Sequence, residues 1–389
     1  MAFLYRRKFL YGAGAIVLMP VALCGCDPQA DSTAATQSTA IIKRKLGKTD
    51  IELPIVGMGV MNADNPAVIQ ESYKTGVRLF DTADAYQNGR NEAMLGMVLG
   101  NLNVRKHVII QTKSHPALLM RQSTAAERTR SLLEKLDESL ARLKTDYVDI
   151  FLVHAPTADQ MTDSGIKEAL LEMKKLKKAR YIGISHHQHA ADVLDLAVKE
   201  SIYDTATISF NFTMAQDAVL IGAIRNAAKA GMGIIAMKTQ AGGGGRGAGV
   251  NHTAALKWAL RNPEITAAIP GYTNFDHMRE DFSVAYGLDY TNVEKKFLAG
   301  KNLQASVRFC LQCETCRRTC PNGVDIPALM RTHMYAANYG NFVHARAALE
   351  EIAENVSLKN CADCSWCGAR CANHVRIADN IRNLKAMYL

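Results

Sequence analysis

Between about Ile42 and Val307 the chain alternates two hydrophobic rhythms. Short, nearly continuous apolar runs rich in β-branched residues come first in each unit: LPIVGMG (53–59), RLFDTA (78–83), HVIIQTK (107–113), YVDIFLVHA (147–155), YIGIS (181–185), TATISFN (205–211), GIIAMKT (233–239) and TAAIPGY (266–272). Runs apolar on both faces predict parallel strands buried on both sides. Between them lie segments such as AERTRSLLEKLDESLARLK, with apolar residues three and four apart and a basic end, which predict amphipathic helices. Eight strand–helix units predict an α/β protein with a (β/α)8 TIM barrel over 42–307, rather than an open doubly wound sheet. The letters Gly231-Met232-Gly233-Ile234-Ile235-Ala236 match a G-x-G-x-x-A nucleotide fingerprint, but they follow a helix and precede a strand. That order is the reverse of the one required, so they are read as a helix stop and turn.

The first 26 residues follow neither rhythm. A basic start precedes an apolar stretch from Phe9 to about Ala22, too short for a comfortable span and interrupted by Gly12, Gly14 and Pro20. This predicts a signal peptide over 1–26. RRKFL resembles the twin-arginine export signal, and Leu23-Cys24-Gly25-Cys26 resembles a lipobox with Cys26 as the lipid acceptor. Those resemblances imply export by the twin-arginine route and a lipid anchor on the periplasmic side of the membrane; an uncleaved, unlipidated signal is the alternative. Residues 27–41, small and polar, read as a flexible linker.

Composition narrows the classes. The 389 residues are 48% hydrophobic and 21% charged, as in soluble globular proteins, and long enough for a large domain plus a smaller one. Net charge is +9, but Arg6, Arg7 and Lys8 supply three of those charges and the rest are scattered among acids. Without a basic stripe interleaved with aromatics, no nucleic-acid partner is expected.

Eight of the ten cysteines fall in two runs of identical spacing, Cys310-Cys313-Cys316-Cys320 and Cys361-Cys364-Cys367-Cys371. The C-x2-C-x2-C-x3-C pattern resembles that of bacterial ferredoxins, where thiolates hold [4Fe–4S] clusters and the fourth cysteine of a run serves the other cluster. Two such clusters are predicted, in preference to zinc or disulfides. Pro321 follows Cys320 as the pattern expects, whereas Ala372 follows Cys371. Forty residues separate the runs, among them VDIPALMRTHMYAANYGNFVHARAALEEIAENV, which reads as helical. A small all-α ferredoxin-like iron–sulfur domain is therefore expected over 308–389, with TNVEKKFLAGKNLQASVRF forming a helix into Cys310. Folding with the cluster inserted before twin-arginine export reconciles iron–sulfur chemistry with an oxidising compartment.

Barrel active sites lie at the C-terminal ends of the strands. Those ends offer Asp81, Tyr86 in the next loop, Lys113 and His154. An ammonium beside a phenol stabilises the phenolate and lowers its pKa, a carboxylate fixes the ammonium, and an imidazole orients a carbonyl oxygen. RKLGKTDIELPIVGMG, FDTADAYQNGRNE and the contexts of Lys113 and His154 resemble the aldo-keto reductases, over roughly 42–285. The resemblance implies Tyr86 as proton donor, Lys113 and Asp81 as its tuning pair, His154 as substrate orienter, and hydride transfer between NADP(H) or NAD(H) and a small carbonyl or alcohol. For cofactor binding it implies Ser185, His186, Asn211, Lys238, Gly243, Gly271 and His277. His186 stands where the family usually has Asn, Thr207 where it often has Gln, and Met237 and Lys238 where an aromatic is usual. Gly271 and His277 stand where basic residues often hold a 2′-phosphate, so NADP against NAD stays open. AGGGGRGAG (241–249) is either a pyrophosphate cradle or a mobile lid. The His186, His187, His189 group reads as a polar helix opening rather than a metal site.

Clusters move single electrons and nicotinamides move hydrides. Three functions follow: a carbonyl reductase whose clusters exchange electrons with a redox partner protein, the same enzyme with purely structural clusters, or a non-enzymatic electron carrier on a barrel that has lost nicotinamide binding.

Overall fold

The computed structural model describes residues 40–116, 124–241, 249–300, 310 and 313–389. The signal, Cys26, nearly all of the expected linker and Gly243 lie outside these residues. Among the described residues no helix is long and apolar enough to cross a membrane.

An antiparallel hairpin, β1 (Lys43–Lys45) and β2 (Glu52–Pro54), precedes eight parallel strands. These are β3 (Met58–Gly59), β4 (Leu79–Asp81), β5 (Ile109–Ser114), β6 (Val148–His154), β7 (Ala179–His186), β8 (Thr205–Ser209), β9 (Gly233–Met237) and β10 (Ile265–Ala268), paired in chain order. Parallel bridges Val56–Ala268 and Gly59–Gly271 join the last strand to the first and close the barrel. Outside it lie α1 (Pro66–Thr75), α2 (Arg90–Asn101), α3 (Ala125–Leu143), α4 (Ala158–Thr162), α5 (Ser164–Lys175), α6 (Ala190–Glu200), α7 (Ala218–Lys229), α8 (His252–Leu260), α9 (Phe275–Ser283) and α10 (Asn292–Leu298). Helix α3 shows how they are fixed: Thr124 and Glu127 form a reciprocal capping box, and Leu132, Leu136, Leu140 and Leu143 are buried on one face.

One expected strand divides. Of 53–59, Leu53 and Pro54 belong to the hairpin and only Met58–Gly59 joins the barrel. Pro54 has no amide to extend the ladder. Leu53, with Leu46 and Ile51, packs instead against Leu79, Ile150, Leu152 and Ile235 inside the barrel. The hairpin thus plugs the N-terminal end.

The same two-residue period that sends Leu79 and Leu152 inward sends Asp81 and His154 inward one pleat later. The interior is therefore apolar at its plugged end and polar at its C-terminal end, where Asp81, Gln111, Lys113, His154, Ser185 and Thr207 are all buried. Space there is tight. A Cβ on Gly183 would lie 2.2 Å from the carbonyl oxygen of Thr205, so glycine is required for β7 to approach β8.

The C-terminal module contains α11 (Ile326–His333), a wide π-type turn at Met334–Asn338, α12 (Phe342–Glu350) and α13 (Ile377–Tyr388). The segment expected to be helical between the cysteine runs is broken where Gly340 adopts φ +64°, a left-handed conformation that glycine takes at little cost. Helix α10 stops at Leu298, short of the expected approach to Cys310, and residues 301–309 lie outside the described ones. Val324, Ile326, Leu329, Leu358, Ile381 and Leu384 form the module's own core with Cys316 and Cys361.

The module rests on the C-terminal rim of the barrel. Asn341 donates to the carbonyl of Met61 at 3.3 Å and to Asn62 Oδ1 at 3.0 Å, and His189 Nε2 meets Glu314 Oε1 at 2.8 Å. Met61 also packs against the small cluster formed by Tyr335, Ala336, Ala345 and Ala348.

Candidate active site and cluster loops

Strand ends β4, β5 and β6 bring Asp81, Lys113 and His154 together, with Tyr86 from the loop after β4. Lys113 Nζ donates to both carboxylate oxygens of Asp81, at 2.7 and 2.8 Å, and to the Thr82 carbonyl at 2.8 Å. It lies 4.9 Å from the centroid of the Tyr86 ring. The Tyr86 and His154 rings stand edge to face at 6.3 Å. All four side chains are buried.

The electrostatics differ in one respect from the sequence expectation. Burial, followed by the charge of Asp81, holds the Tyr86 phenol well above its ordinary value rather than below it. The resting phenol is thus a fully protonated donor, and Lys113 counts only once charge appears on it. Burial also lowers Lys113, against the opposing pull of Asp81. His154 is held well below its usual range by burial and then by Lys113, so its imidazole is neutral.

Several residues that sequence reasoning missed complete the site. Gln111 donates to Asp81 Oδ1 at 2.7 Å and to Thr207 Oγ1 at 3.1 Å, fixing the carboxylate from the side opposite Lys113. Its signal was its place in β5, two residues before Lys113 on the same face. His344, from α12 of the module, stacks edge-on against Tyr86 with ring centroids 5.0 Å apart. Tyr335 packs on His344 at 4.5 Å. Nothing in the local sequence of either residue marks it as facing the barrel.

The described cofactor candidates lie at or just beyond the ends of β7, β8, β9 and β10. Ser185 is fully buried at the end of β7, and its hydroxyl makes no hydrogen bond among the described residues. The same holds for His154 Nδ1 and His344 Nδ1. Buried polar atoms without partners are rare, and three of them around one rim fit a polar ligand such as a carboxamide or a carbonyl. His186 turns Nδ1 to Gln188, whose backbone amide donates to it at 3.1 Å. Asn211 spends its carbonyl on Thr213. Lys238, at φ +54°, places Nζ 4.8 and 5.4 Å from the rings of Tyr335 and Tyr339. The aromatic rings beside Lys238 therefore belong to the module. Gly271 is the closing bridge to Gly59, and His277 meets Thr273 Oγ1 at 3.0 Å. Of the three-histidine group only His189 stands at the start of α6, and it faces the module. His187 is turned instead to His154, 6.4 Å between rings. Among the described residues no group of three or more His, Cys, Asp or Glu converges on a single metal ion.

The thiols cross over. Burial pushes Cys316 up to about 11, and the thiols that add to this are Cys371 and Cys313. Burial also raises Cys361 to about 11, with Cys320, Cys364 and Cys367 adding to it. Each run's last cysteine thus sits with the other run. Asparagines two residues later follow the exchange: Asn322 Nδ2 donates to Cys364 Sγ at 3.2 Å, and Asn373 Nδ2 lies 3.6 Å from Cys313 Sγ. Cys313, Cys316, Cys320, Cys361, Cys364, Cys367 and Cys371 are free thiols. Two thiol sets sharing their fourth members fit the iron–sulfur pattern.

The sequence profile of the aldo/keto reductase family matches residues 59–253, just over half of the chain. The chain belongs to the aldo/keto reductase family. A second profile, the 4Fe-4S dicluster domain, matches residues 309–376. The aldo/keto reductase region is 34% identical over 155 residues to the uncharacterized oxidoreductase YqkF of Bacillus subtilis, covering 37% of this chain and 48% of that protein. It is 35% identical over 161 residues to L-galactose dehydrogenase of Arabidopsis thaliana, covering 38% and 49%. The chain spans about half the length of the curated relatives it matches. The holo form of aldo-keto reductase AKR11C1 from Bacillus halodurans shares the fold, with a TM-score of 0.56 at 21% identity over 67% of this chain and 95% of that one.

Proposed function

We propose that the barrel transfers hydride between a nicotinamide, NADP(H) or NAD(H), and a small carbonyl or alcohol, and that the module holds two [4Fe–4S] clusters that exchange electrons with a partner protein. The observation that carries this reading is the buried Asp81–Lys113 pair set against Tyr86 and His154 at the rim of an aldo/keto reductase barrel. A structural neighbour from Klebsiella pneumoniae, solved with NADP and acetate, shares this fold.

The bound nicotinamide supplies hydride to the carbonyl carbon, and the clusters supply one-electron chemistry. Tyr86 gives its proton to the carbonyl oxygen as that oxygen gains charge. Lys113, held in place by Asp81, faces the phenolate that results and stabilises it. Neutral His154 holds the carbonyl oxygen in line. Ser185 is free to receive a carboxamide. One hydride and one proton add across C=O to give the alcohol, so the step balances without a further reductant. The module covering the rim keeps water from the reacting atoms. Export by the twin-arginine route and anchoring through Cys26 remain part of this proposal on the strength of the N-terminal sequence alone.

Oxidation of NADPH or NADH by a panel of aldehydes tests the reading. Turnover should fall about a hundredfold or more in Tyr86→Phe; unchanged turnover would sink the assignment. A second reading, electron transfer without nicotinamide, draws on the cover of Tyr335 and Tyr339 over Lys238. Anaerobic mixing with reduced nicotinamide, followed by EPR, separates the two: cluster signals that appear only with an artificial reductant would favour the second.

A further inference from the structure

Between the barrel rim and the module lies a cavity of about 1120 Å³. The barrel side is formed by His115 just after β5 and by the segments following β6 and β7, with His186 and His187; the module side includes Arg331 of α11, Arg346 of α12 and Glu351. The cavity adjoins the catalytic group through two rings, since His115 and His187 lie 6.1 and 6.4 Å from His154. Of the residues tied to cofactor binding by family resemblance, it touches His186 and none beyond β7.

Of the two arginines in this wall without an ion pair, Arg346 lies over the Tyr388 ring, 5.2 Å from its centroid, and Arg331 has no such aromatic contact among the described residues. Its guanidinium makes no hydrogen bond or ion pair with any described residue, although it is only partly exposed. Its charge reaches His154, His187, His344 and Lys238. The carboxylate that would most readily answer it, Glu351, feels that charge but forms no ion pair with it. Of the other carboxylates in the wall, Asp325 caps α11, Glu314 meets His189 and Arg317, Asp192 lies 3.9 Å from His189, Glu354 meets Lys359, and Glu350 forms no ion pair with Arg331. The imidazoles of His115 and His186 in the cavity wall are held neutral by burial, each falling to about 4. They can hydrogen-bond an anion but cannot balance a charge. A planar guanidinium without an ion pair in such a place suits a carboxylate, which it can grip with two parallel hydrogen bonds.

We infer that the substrate of this site is an oxo acid, whose carboxylate is held by Arg331 of the iron–sulfur module while its carbonyl reaches Tyr86 and His154 of the barrel. The inference rests on the reductase reading for the fate of the carbonyl, and on the cavity alone for the carboxylate. The module is then a specificity element: the barrel supplies the chemistry, and α11 supplies the charge that selects the substrate.

The test uses the full cluster-loaded chain and two aldehydes of equal length, 4-oxobutanoate and butanal. In the parent protein kcat/KM should favour 4-oxobutanoate. In Arg331→Gln the ratio of the two values should fall about tenfold or more, chiefly through KM, and Arg331→Lys should restore part of it. Iron content and circular dichroism check that each variant is folded. Calorimetric titration with butyrate and with butyramide, in the absence of nicotinamide, gives a readout independent of turnover. Butyrate should bind the parent and bind Arg331→Gln about tenfold more weakly or worse, with butyramide unable to replace it. Binding of butyrate through Arg331 in a protein that turns over no carbonyl would end the reductase reading and the oxo-acid assignment with it, leaving only a carboxylate site at Arg331. Turnover of both aldehydes with an unaltered ratio in Arg331→Gln would overturn the inference and leave the reductase reading standing. A change confined to the KM for nicotinamide would also overturn it, by assigning Arg331 to the cofactor phosphates.

Discussion

The Asp81–Lys113 pair gives the most quantitative test of how the site is held. Both side chains are buried, at 6% and 2% exposure, and Nζ lies within 2.8 Å of both carboxylate oxygens. Such a pair gains little over a well-packed apolar pair, because taking two charges out of water offsets most of their attraction. Breaking it is different. In Asp81→Asn the ammonium keeps the Thr82 carbonyl but loses its counter-charge, and the expected cost is about 3–5 kcal/mol. Lys113→Met leaves the carboxylate with Gln111 as its remaining donor and should cost a similar amount. The double variant Asp81→Asn/Lys113→Met removes both charges and should recover most of that loss. Urea unfolding of the four proteins, followed by tryptophan fluorescence and analysed as a double-mutant cycle, measures the coupling. A coupling energy of about 2 kcal/mol or more is expected for groups in direct contact. Simple additivity of the two single losses would refute the idea that each charge is held chiefly by the other. All three variants should also lose carbonyl reduction, so stability and chemistry are read separately.

Three other outcomes follow from the geometry. Cys320→Ser should damage the cluster held by Cys361, Cys364 and Cys367 rather than the one held by its own neighbours in sequence; EPR and iron analysis on the variant, with Cys371→Ser as its mirror, would expose an uncrossed arrangement. Asn322→Ala removes an N–H from Cys364 Sγ, and a hydrogen bond worth about 1 kcal/mol more to the reduced cluster corresponds to a potential about 40 mV lower without it; a redox titration in which neither cluster moves would discount that contact. Glu351 is pushed by burial from its ordinary 4.5 up to about 7. The folded chain therefore keeps a proton that the unfolded chain releases. Its contribution is fully present below pH 4.5 and is lost as pH rises through 7. Glu351→Gln should flatten that part of the Tm against pH profile, and an identical slope in parent and variant would exclude it.

Much of the barrel was legible because a parallel sheet covered on both faces writes its strands as unbroken apolar runs. Asp81, Lys113 and His154 were found at strand ends for the same reason. The hairpin was not found, since Leu53 is as apolar in a barrel plug as in a barrel stave, and only the missing amide of Pro54 separated the two. The crossing thiols were readable from their spacing. The module's place on the rim was not, because it depends on contacts between residues far apart in sequence, such as Asn341 with Met61 and His344 with Tyr86. Arg331 and His344 look like ordinary helix residues until the rim is set beneath them. The direction of the Tyr86 shift was hidden in the same way: the sequence displays the neighbouring lysine but not the depth of burial that outweighs it.

The exchange of Cys320 and Cys371 between the two thiol sets has a consequence for the order of events in making this protein. One set is complete only when the chain has been synthesised as far as Cys367 and the other only at Cys371, so a chain that stops before Cys367 has no finished place for a cluster. The residues that cover the barrel, from Arg331 to Glu351, lie in the loop which those crossed ligands cinch shut. On the proposed cluster reading, loading of the metal centres would tie together the two ends of the segment that covers the catalytic rim. Substrate selection through Arg331 would begin only when the metal centres are in place.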